Sequence, residues 1–505
     1  MSTPSTINRR DFLKTAGTLA LAAAVLAPFA IGQEPRALPK PNIILIYADD
    51  LGWSDVGYQS EGLFLTPQID QLGREGVVFS NGYAAAPNCG PSRASILSGG
   101  YTPRHGLFSQ GRGGIWGPHN LMRLVQVKSQ NHLDPSIVTV AEALKGAGYA
   151  TGHFGKYQVA TPPGSFPLEQ GFDVAYHAFD EPQGNIKGEG VAGWESTRDR
   201  KGPPNDPSGV FTLTDKAVEF MASNRNRPFF VYLAHYAIHP GARNARPESR
   251  QLVAERAKGA NVNDVYMANT YDFDESIGKL LAKLRELELE KNTLVVFTSD
   301  NGAHRPNGQP PLRGIKQSLY EGGIRVPFIV RWPGVAKAGA TSAVPVTQVD
   351  LYPTFLAAAG APVPAGTQLD GLSLLPVLEQ PGSGLDRTSI FWHYPCYVPS
   401  VKNPAVRLRD PVFGVRPVSV IRKGDWKLLL YHEEWQLDGG RAALATNNAV
   451  ELYNLKDDIG EHKNLALENT AKRDELLDDL LKWIADIKAP MPTEKNPAYD
   501  PNAKP

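Results

Sequence analysis

One of the two cysteines of this 505-residue chain lies in a segment suited to binding an anion. Cys89 opens the segment CGPSRASILSG, in which Pro91 suits the first turn of a helix and Gly99 suits its end. Free N–H groups at a helix start favour an anion, and Arg93, four residues on, would share the helix face of Cys89. The segment therefore predicts a reactive thiol and a guanidinium at one point, which suits an oxyanion such as sulfate or phosphate.

Two ordinary roles also fit Cys89. A free cysteine is usually a small buried hydrophobic side chain. In an exported protein the two cysteines, Cys89 and Cys396, could instead form one structural disulfide. On composition alone, either of these ordinary roles is preferred.

Oxygen-donor side chains follow two apolar segments. Asn42–Ala48 and 293–298 are nearly continuous apolar runs rich in β-branched residues, which is typical of parallel strands buried on both faces. A single Asp after a strand is usually a helix cap or part of an Asx-turn, but two such pairs favour a metal site. Hard oxygen ligands suit Ca²⁺ or Mg²⁺ rather than zinc or copper. The donors are Asp49, Asp50, Asp300 and Asn301.

Two further segments end in groups that can carry charge or a proton. Phe229–Ala234 is followed by His235 and His239, and the weaker segment 149–154 is followed by Lys156. In open α/β sheets ligands bind beyond the carboxyl ends of the strands, so we expect four strands to bring these groups to one edge. An imidazole suits proton donation. For His235 the ordinary role of a loop histidine is preferred.

Helical patterns between these strands predict the fold class. Alternating strands and helices indicate an α/β fold with a large central, mostly parallel sheet flanked by helices, over residues 41–385. Residues 386–505 are predicted to form a smaller C-terminal α+β subdomain with an antiparallel sheet and a helix. The predicted helices are 136–145, 212–223, 265–288 and 474–487. The short C-terminal strands are 389–393, 418–422, Trp426–Tyr431 and Val450–Asn454.

The first 32 residues are typical of a targeting segment. Arg9 and Arg10 precede an apolar stretch of about 13 residues, a pattern similar to a twin-arginine signal peptide. The stretch is too short for a convincing membrane span, although a retained anchor stays open. We therefore expect export by the twin-arginine machinery to the periplasm or the medium, without stable membrane insertion. Basic and acidic residues number 52 each, so no nucleic-acid partner is expected.

The motif around Cys89 resembles the signature of the type I, formylglycine-dependent sulfatases, arylsulfatase-like enzymes of the alkaline phosphatase superfamily. The resemblance rests on Cys-x-Pro-Ser-Arg at 89–93, Leu-Ser-Gly at 97–99 and YTPRHG at 101–106. It continues with EGGIRVP at 321–327, KGDWK at 423–427 and ELYN at 451–454. It implies that a formylglycine-generating or radical maturase oxidises Cys89 to formylglycine (3-oxoalanine), whose hydrate is the nucleophile.

The resemblance also implies a role for each candidate residue. Metal binding, usually of calcium, falls to Asp49, Asp50, Cys89, Asp300 and Asn301. Substrate binding and catalysis fall to Arg93, Lys156 and Lys316, which hold the sulfate group, and to His239, which is the general acid. Arg325 is expected to pair with Glu321. His105, His153 and His304 are weaker candidates for the pocket.

One position departs from the family pattern. The family commonly shows Gly-Lys-Trp-His, and here the residues are Gly155, Lys156, Tyr157 and Gln158. Gln158 cannot act as a base, but its carboxamide can bind a hydroxyl of the substrate or nucleophile. The step that regenerates the aldehyde therefore lacks its usual partner.

The sequence predicts an exported sulfatase acting on a sulfate ester, with a sulfated carbohydrate as the leading substrate. Arg104 and the aromatic segment 391–394 are candidate sugar contacts, and both also fit a structural role. A phosphonate or phosphate ester hydrolase of the same superfamily is one alternative. A non-catalytic sulfoglycan-binding protein with an unconverted Cys89 is the other.

Overall fold

The structure is a computed structural model and describes most of the chain from residue 40 onward. The described residues are 40–109, 118–160, 164–177, 194–196, 204–239, 245–260, 262–305, 308–399, 403–410 and 412–503. The predicted signal peptide, 1–32, lies outside them. Residues Lys40–Pro505 form one compact unit. No helix among the described residues is both long and apolar enough to cross a membrane.

The strands and helices follow in chain order. The strands are β1 Asn42–Ala48, β2 Val77–Phe79, β3 Gly82–Tyr83, β4 Ala150–Gly155, β5 Val174–His177, β6 Trp194–Ser196, β7 Phe229–Ala234, β8 Thr293–Ser299, β9 Phe328–Arg331, β10 Ala340–Ser342, β11 Val346–Thr347, β12 Ser389–Tyr394, β13 Val398–Pro399, β14 Phe413–Val415, β15 Val418–Lys423, β16 Trp426–Tyr431 and β17 Val450–Asn454. The helices are α1 Pro67–Glu75, α2 Cys89–Ser98, α3 Thr102–His105, α4 Val140–Gly146, α5 Val210–Ser223, α6 Pro247–Ala260, α7 Asp264–Glu286, α8 Glu321–Ile324, α9 Leu351–Ala359, α10 Leu375–Glu379, α11 His432–Leu437 and α12 Thr470–Asp486.

The large sheet has nine strands within the described residues, in the order β10-β2-β9-β8-β1-β7-β4-β5-β6. The strands from β8 to β6 run parallel, and β9 pairs antiparallel with both β8 and β2. The predicted strands β8, β1, β7 and β4 are direct neighbours in this order. Their carboxyl ends are in register, since Ala48 pairs with Ser299 and Gly155 with Ala234. The sheet therefore brings the predicted side chains to one edge.

Both faces of β1 are buried, as its continuous apolar sequence predicts. Ile43, Leu45 and Tyr47 belong to one core layer, together with side chains of α2, α4 and α9. Ile44 and Ile46 belong to the opposite layer, which α1, α5 and α7 cover. Helices thus flank the sheet on both faces, which confirms the predicted α/β class.

The C-terminal residues form a separate antiparallel sheet in the order β12-β15-β16-β17. α12 packs on it through Leu476, Leu477 and Leu480, which share a core with Leu428 and Leu430. The predicted small sheet and terminal helix are confirmed.

The predicted helix 136–145 starts too early. The observed α4 begins at Val140, because Thr139 and Glu142 form a capping box in which each side chain accepts the other's backbone N–H. Ser136 instead donates its N–H to Asp134 in a preceding turn. The helix therefore begins where both N-terminal donors are satisfied.

Candidate active site

Cys89 is the first residue of α2, as the sequence predicts. Every residue of α2 is buried, and the helix ends at Ser98, directly before Gly99, whose φ of 70° favours glycine. Cys89 and Cys396 are both free thiols, so the alternative of a disulfide between them is wrong. The Cys396 thiol instead contacts the carbonyl oxygen of Val127 at 3.5 Å. The Cys89 side chain thus lies at the helix start without a covalent partner.

The turn after β1 directs two carboxylates toward the turn after β8. Asp50 has a φ of 63°, a left-handed conformation that non-glycine residues seldom adopt and that recurs at functional sites. Its backbone N–H donates to Asp300 Oδ1 at 3.0 Å, and the Asp300 N–H donates to Ala48 O at 3.1 Å. The two turns are therefore tied together by hydrogen bonds on either side of the strand ends.

Four acidic or thiol side chains converge on this point. One ligand atom each from Asp49, Asp50, Cys89 and Asp300 lie within 4.8 Å of one another. Asn301 Nδ2 donates to Asp50 Oδ1 at 2.7 Å. The Asn301 Oδ1 atom is buried and has no hydrogen-bond partner within the described part of the chain. The structure therefore brings all five predicted metal ligands together, with one buried oxygen still available to accept.

Three cations face these carboxylates. Arg93 Nη2 lies 2.8 Å from Asp300 Oδ2, and Lys156 Nζ lies 2.8 Å from Asp49 Oδ2. Lys316 Nζ lies 2.6 Å from Asp50 Oδ1 and 3.0 Å from the sulfur of Cys89. We call the six charged residues the catalytic cluster, after the role that is proposed for them below: Asp49, Asp50, Asp300, Arg93, Lys156 and Lys316. The three positive side chains balance the three carboxylates.

Backbone contacts fix the two lysines. The Lys156 N–H donates to Ala234 O at 2.9 Å, and the preceding Gly155 has a φ of 105°. A Cβ atom on Gly155 would lie 1.9 Å from Ala234 O, so this approach requires glycine. The Lys316 N–H donates to Ala303 O at 3.0 Å. Lys156 is therefore held by the last residue of β7, and Lys316 by the segment that follows β8.

The pKa values of Asp49 and Asp300 shift in opposite directions. Burial opposes ionisation of Asp49, but attraction by Lys156, His239 and Arg93 outweighs it and lowers its pKa. Burial, followed by repulsion from Asp49, raises the pKa of Asp300 to about 7, although Arg93 opposes this rise. A group of carboxylates that repel one another in a buried site favours an added cation.

Burial also governs the thiol and its neighbour. Burial, reinforced by Asp300, raises the pKa of the Cys89 thiol well above its ordinary value. Burial alone would lower the pKa of Lys316, but attraction by Asp50 raises it, so its ammonium stays charged. An unmodified Cys89 is thus a neutral thiol, which is a poor nucleophile.

His239 occupies the exposed side of the site. Its Nε2 lies 4.0 Å from Asp50 Oδ2, and 38 % of its side chain is exposed, against 0 % for Asp50. Burial lowers the pKa of His239, and the attraction of Asp49 opposes this shift. Tyr236, which the sequence reasoning missed, places its ring 5.6 Å from Lys156 Nζ. The sequence signal that could have identified Tyr236 is its position between His235 and His239.

Gln158 follows Lys156 by two residues and is partly buried, with a φ of 61°. It therefore adopts a left-handed backbone conformation close in sequence to the catalytic cluster. Its role in binding stays a prediction.

The remaining histidines differ in their surroundings. His105 contacts Ser95 and accepts the N–H of Leu107, and His235 lies beside Thr214 and Phe273. His153 packs edge-on against Tyr157, Phe172 and Tyr232 in the core, whereas His304 is exposed. Burial lowers the pKa of His105 and of His235 to about 3, so both are neutral structural groups.

The two candidate sugar contacts have structural roles. Arg104 donates from Nε to both carboxylate oxygens of Asp370, at 2.7 and 2.8 Å. Trp392 is only 2 % exposed, and its Nε1 donates to Ala84 O at 2.8 Å. Arg104 and Trp392 therefore have the structural roles that the sequence left open as an alternative to sugar binding. Arg325 pairs with Glu321 at 2.7 Å, as expected.

Comparison with known proteins gives one consistent family. The Sulfatase family model matches residues 41–361, and the model for the C-terminal region of N-sulphoglucosamine sulphohydrolase matches residues 315–489. The steryl-sulfatase of Mus musculus is 29 % identical, over 91 % of this chain and 84 % of that protein. The N-acetylgalactosamine-6-sulfatase of Mus musculus is 32 % identical, over 72 % of this chain and 71 % of that protein.

A solved structure shows the same architecture. That of Ps i-CgsB has a TM-score of 0.68 and 28 % identity, and the match covers 90 % of this chain and 95 % of that one. Ps i-CgsB has also been solved in complex with k-i-k-neocarrahexaose. Since the Sulfatase family model covers most of the chain, the chain belongs to the sulfatase family and is a sulfuric ester hydrolase.

Proposed function

We propose that the protein cleaves sulfate esters with Cys89 converted to formylglycine, next to a divalent metal ion, preferably Ca²⁺. The observation that carries this proposal is the position of the Cys89 sulfur, 3.0 Å from Lys316 Nζ and within 4.8 Å of three buried carboxylates. An unmodified thiol there is held neutral by burial. Conversion of Cys89 to formylglycine would provide the nucleophile that the neutral thiol does not.

The donor set fits a hard divalent cation. Asp49, Asp50 and Asp300 are at most 1 % exposed, and Asn301 Oδ1 is a buried acceptor without a partner among the described residues. Such oxygen ligands suit Ca²⁺ or Mg²⁺ rather than zinc or copper. A bound cation would favour the deprotonated form of a neighbouring hydroxyl.

The three cations of the catalytic cluster are the proposed sulfate clamp. Arg93, Lys156 and Lys316 balance the carboxylates, so a divalent cation would leave the site with excess positive charge. Fixed positive groups in a buried site stabilise the charge that builds on the sulfuryl oxygens in the transition state. Their hydrogen bonds to the carboxylates hold them in place before substrate arrives.

His239 is the proposed general acid. The formylglycine hydrate supplies one hydroxyl that attacks sulfur and a second whose deprotonation expels sulfate and restores the aldehyde. When the ester S–O bond breaks, His239 Nε2 gives its proton to the departing alcohol oxygen. Its partial exposure supports a position where the alcohol leaves. Gln158 would bind a hydroxyl without accepting its proton.

A sulfated carbohydrate is the proposed substrate class. Support comes from the names of similar proteins, an N-acetylgalactosamine-6-sulfatase and a structure holding a neocarrahexaose. The similarity to a steryl-sulfatase makes a steroid sulfate the competing outcome. Released sulfate from a panel of sulfated glycans, with a steroid sulfate included, distinguishes the two.

The proposal extends to maturation and location. A formylglycine-generating or radical maturase would modify Cys89, and residues 1–32 would direct twin-arginine export to the periplasm or the medium. We also propose that 41–385 is the catalytic domain and 386–505 a C-terminal subdomain. Replacing Arg9 and Arg10 by lysine would retain the enzyme inside the cell, which fractionation would show.

Two measurements on the purified protein test the central proposal. Peptide mass spectrometry should find the aldehyde at position 89, and sulfate ester turnover should exceed phosphonate ester turnover. An ordinary thiol at 89 in active protein would overturn the mechanism. Faster phosphonate turnover would identify the phosphonate ester hydrolase alternative, and glycan binding without sulfate release would identify a binding protein.

A further inference from the structure

A second buried group of charges joins the C-terminal sheet to the catalytic region. Lys427 of β16 places Nζ 2.9 Å from Glu321 Oε1 and 2.8 Å from Glu461 Oε1. All three side chains are 0 % exposed. We call these three residues the C-terminal cluster. Charged groups are seldom fully buried unless they are paired, so these contacts hold each side chain in place.

Glu321 is held at both its side chain and its backbone. Its Oε2 accepts from Arg325 Nε at 2.7 Å and from the Tyr83 hydroxyl at 2.8 Å. Its backbone N–H donates to Glu461 Oε2 at 2.7 Å. Glu321 is the first residue of α8. Lys427 therefore contacts the carboxylate of Glu321 and also the carboxylate of Glu461, which accepts the Glu321 N–H.

The short helix α8 touches the turn that carries Asp300 and Asn301. The next residue, Gly302, donates its N–H to Gly323 O at 2.9 Å. A Cβ atom on Gly302 would lie 1.9 Å from Gly322 O, so the two backbones are in direct contact. A shift of α8 would therefore displace the turn after β8.

The same helix touches the loop that carries Lys316. The Gly322 N–H donates to Arg313 O at 2.7 Å. A Cβ atom on Gly323 would lie 2.0 Å from Ser318 O. The loop on both sides of Lys316 thus packs on α8 through backbone atoms. Close-packed contacts of this kind transmit a displacement rather than absorb it.

We propose that Lys427 is a positioning residue for the catalytic site. With Glu461 it holds Glu321, and through α8 it sets the positions of Lys316 and of the turn after β8. The inference rests on the proposed function, because it assumes the roles assigned to Lys316 and to the Asp300–Asn301 turn. A buried ion pair adds little stability compared with apolar side chains of the same size, so its contribution here is fixed geometry.

Lys427→Met tests this inference by removing the charge while keeping most of the side-chain volume. We expect kcat on 4-nitrophenyl sulfate to fall about tenfold or more, as when groups that orient catalytic residues are removed. Arg416→Met is the matched control. It breaks the ion pair of Arg416 with the buried Glu433, also in the C-terminal region. Both variants should lose thermal stability, but only Lys427→Met should lose kcat.

The double variant Lys427→Met/Glu461→Gln separates positioning from charge balance. It removes the carboxylate that Lys427→Met leaves buried without its cation, so the melting temperature should recover. We expect kcat to stay low, because Glu321 still lacks the Lys427 contact. Recovery of kcat together with the melting temperature would overturn the proposal, as would an equal kcat loss in Arg416→Met.

Crystal structures of the unmodified variants test the inference independently of turnover. The distance from Lys316 Nζ to the Cys89 sulfur should lengthen in Lys427→Met and stay near 3.0 Å in Arg416→Met. An unchanged distance in Lys427→Met would overturn the positioning role even if the enzyme is active. An inactive wild-type protein with a lengthened distance in Lys427→Met would instead contradict only the proposed function.

Discussion

The catalytic cluster and the C-terminal cluster are both groups of buried charges, yet they differ in their access to solvent. In the C-terminal cluster all three side chains are 0 % exposed. In the catalytic cluster Lys316 is 9 % exposed, and the adjoining His239 is 38 % exposed. A buried oxygen without a hydrogen-bond partner among the described residues occurs in both regions: Asn301 Oδ1 beside the catalytic cluster and Glu461 Oε1 in the C-terminal cluster, where Lys427 Nζ lies 2.8 Å away.

The difference shows that burial of charge alone does not identify an active site. A sealed group in which every charge is paired serves to hold backbone segments together. A group at the ends of parallel strands, with access from one side, can receive an ion or a substrate. The following substitutions should therefore have unequal effects in the two regions.

The largest effect is expected at the proposed nucleophile. Cys89→Ala should lower kcat/KM on 4-nitrophenyl sulfate by at least about a thousandfold, since it removes the reacting group. The melting temperature should change little in comparison. Cys396→Ala is the matched control, because it removes the other buried thiol and should retain activity. Activity in Cys89→Ala above a hundredth of the wild-type value would contradict the mechanism.

The metal site should give the next largest effect. Adding calcium to chelator-treated wild-type protein should restore activity and raise the melting temperature, since a ligand at a hundred times its Kd stabilises by about 2.7 kcal/mol. Asp300→Asn should lose this calcium-dependent rise, because it removes a carboxylate ligand. Glu461→Gln also removes a buried carboxylate and should keep the rise. An equal loss in both would remove the distinction between the two clusters.

His239 should show an effect that depends on the leaving group. His239→Gln should lower kcat on a sulfated sugar by about a hundredfold, because a poor leaving group needs a proton. The loss on 4-nitrophenyl sulfate should be smaller, because nitrophenolate leaves without one. Equal losses on both substrates would contradict a general acid.

The pH profile gives a second measurement of the same residue. Burial lowers the pKa of His239, so its acidic form is lost as the pH rises through a value below that of an ordinary histidine. Turnover of the sugar sulfate by the wild type should therefore fall with rising pH. His239→Gln should abolish this fall. If turnover by His239→Gln still falls with rising pH as in the wild type, the titrating group is a different residue.

The smallest effect is expected at Arg104. Its ion pair with Asp370 is partly exposed, and such pairs contribute up to about 1 kcal/mol. Arg104→Gln should therefore lower the free energy of unfolding by that amount or less and leave KM for sulfated glycans unchanged. A tenfold rise in KM would indicate that Arg104 does contact the substrate.

The fold class was predictable because its signals are local. The apolar run of β1 indicates burial on both faces. Pro91 lies in the first turn of α2, which begins at Cys89, and Gly99 directly follows its last residue, Ser98. The start of α4 was misplaced, since several polar residues near Ser136 could cap a helix. Only the reciprocal bonds of Thr139 and Glu142 select among them.

The sugar contacts could not be predicted for a different reason. The side chain of Trp392 suits either a sugar or the core, and its burial depends on packing against Tyr83 from a distant part of the chain. The C-terminal cluster was likewise hidden, because Lys427 and Glu321 are separated by 106 residues. Neither residue carries a local signal for its partner.

The sequence by itself determined which side chains stand at the ends of the elements around the candidate site: a cysteine at a helix start, and oxygen donors and cations after apolar strands. Local pattern suffices for this, since it specifies both the element and its last residue. Only the tertiary structure decided that Lys316 faces Asp50 and Cys89, and Lys156 faces Asp49. These contacts depend on strand order and on backbone packing around α8, which join residues up to 266 positions apart.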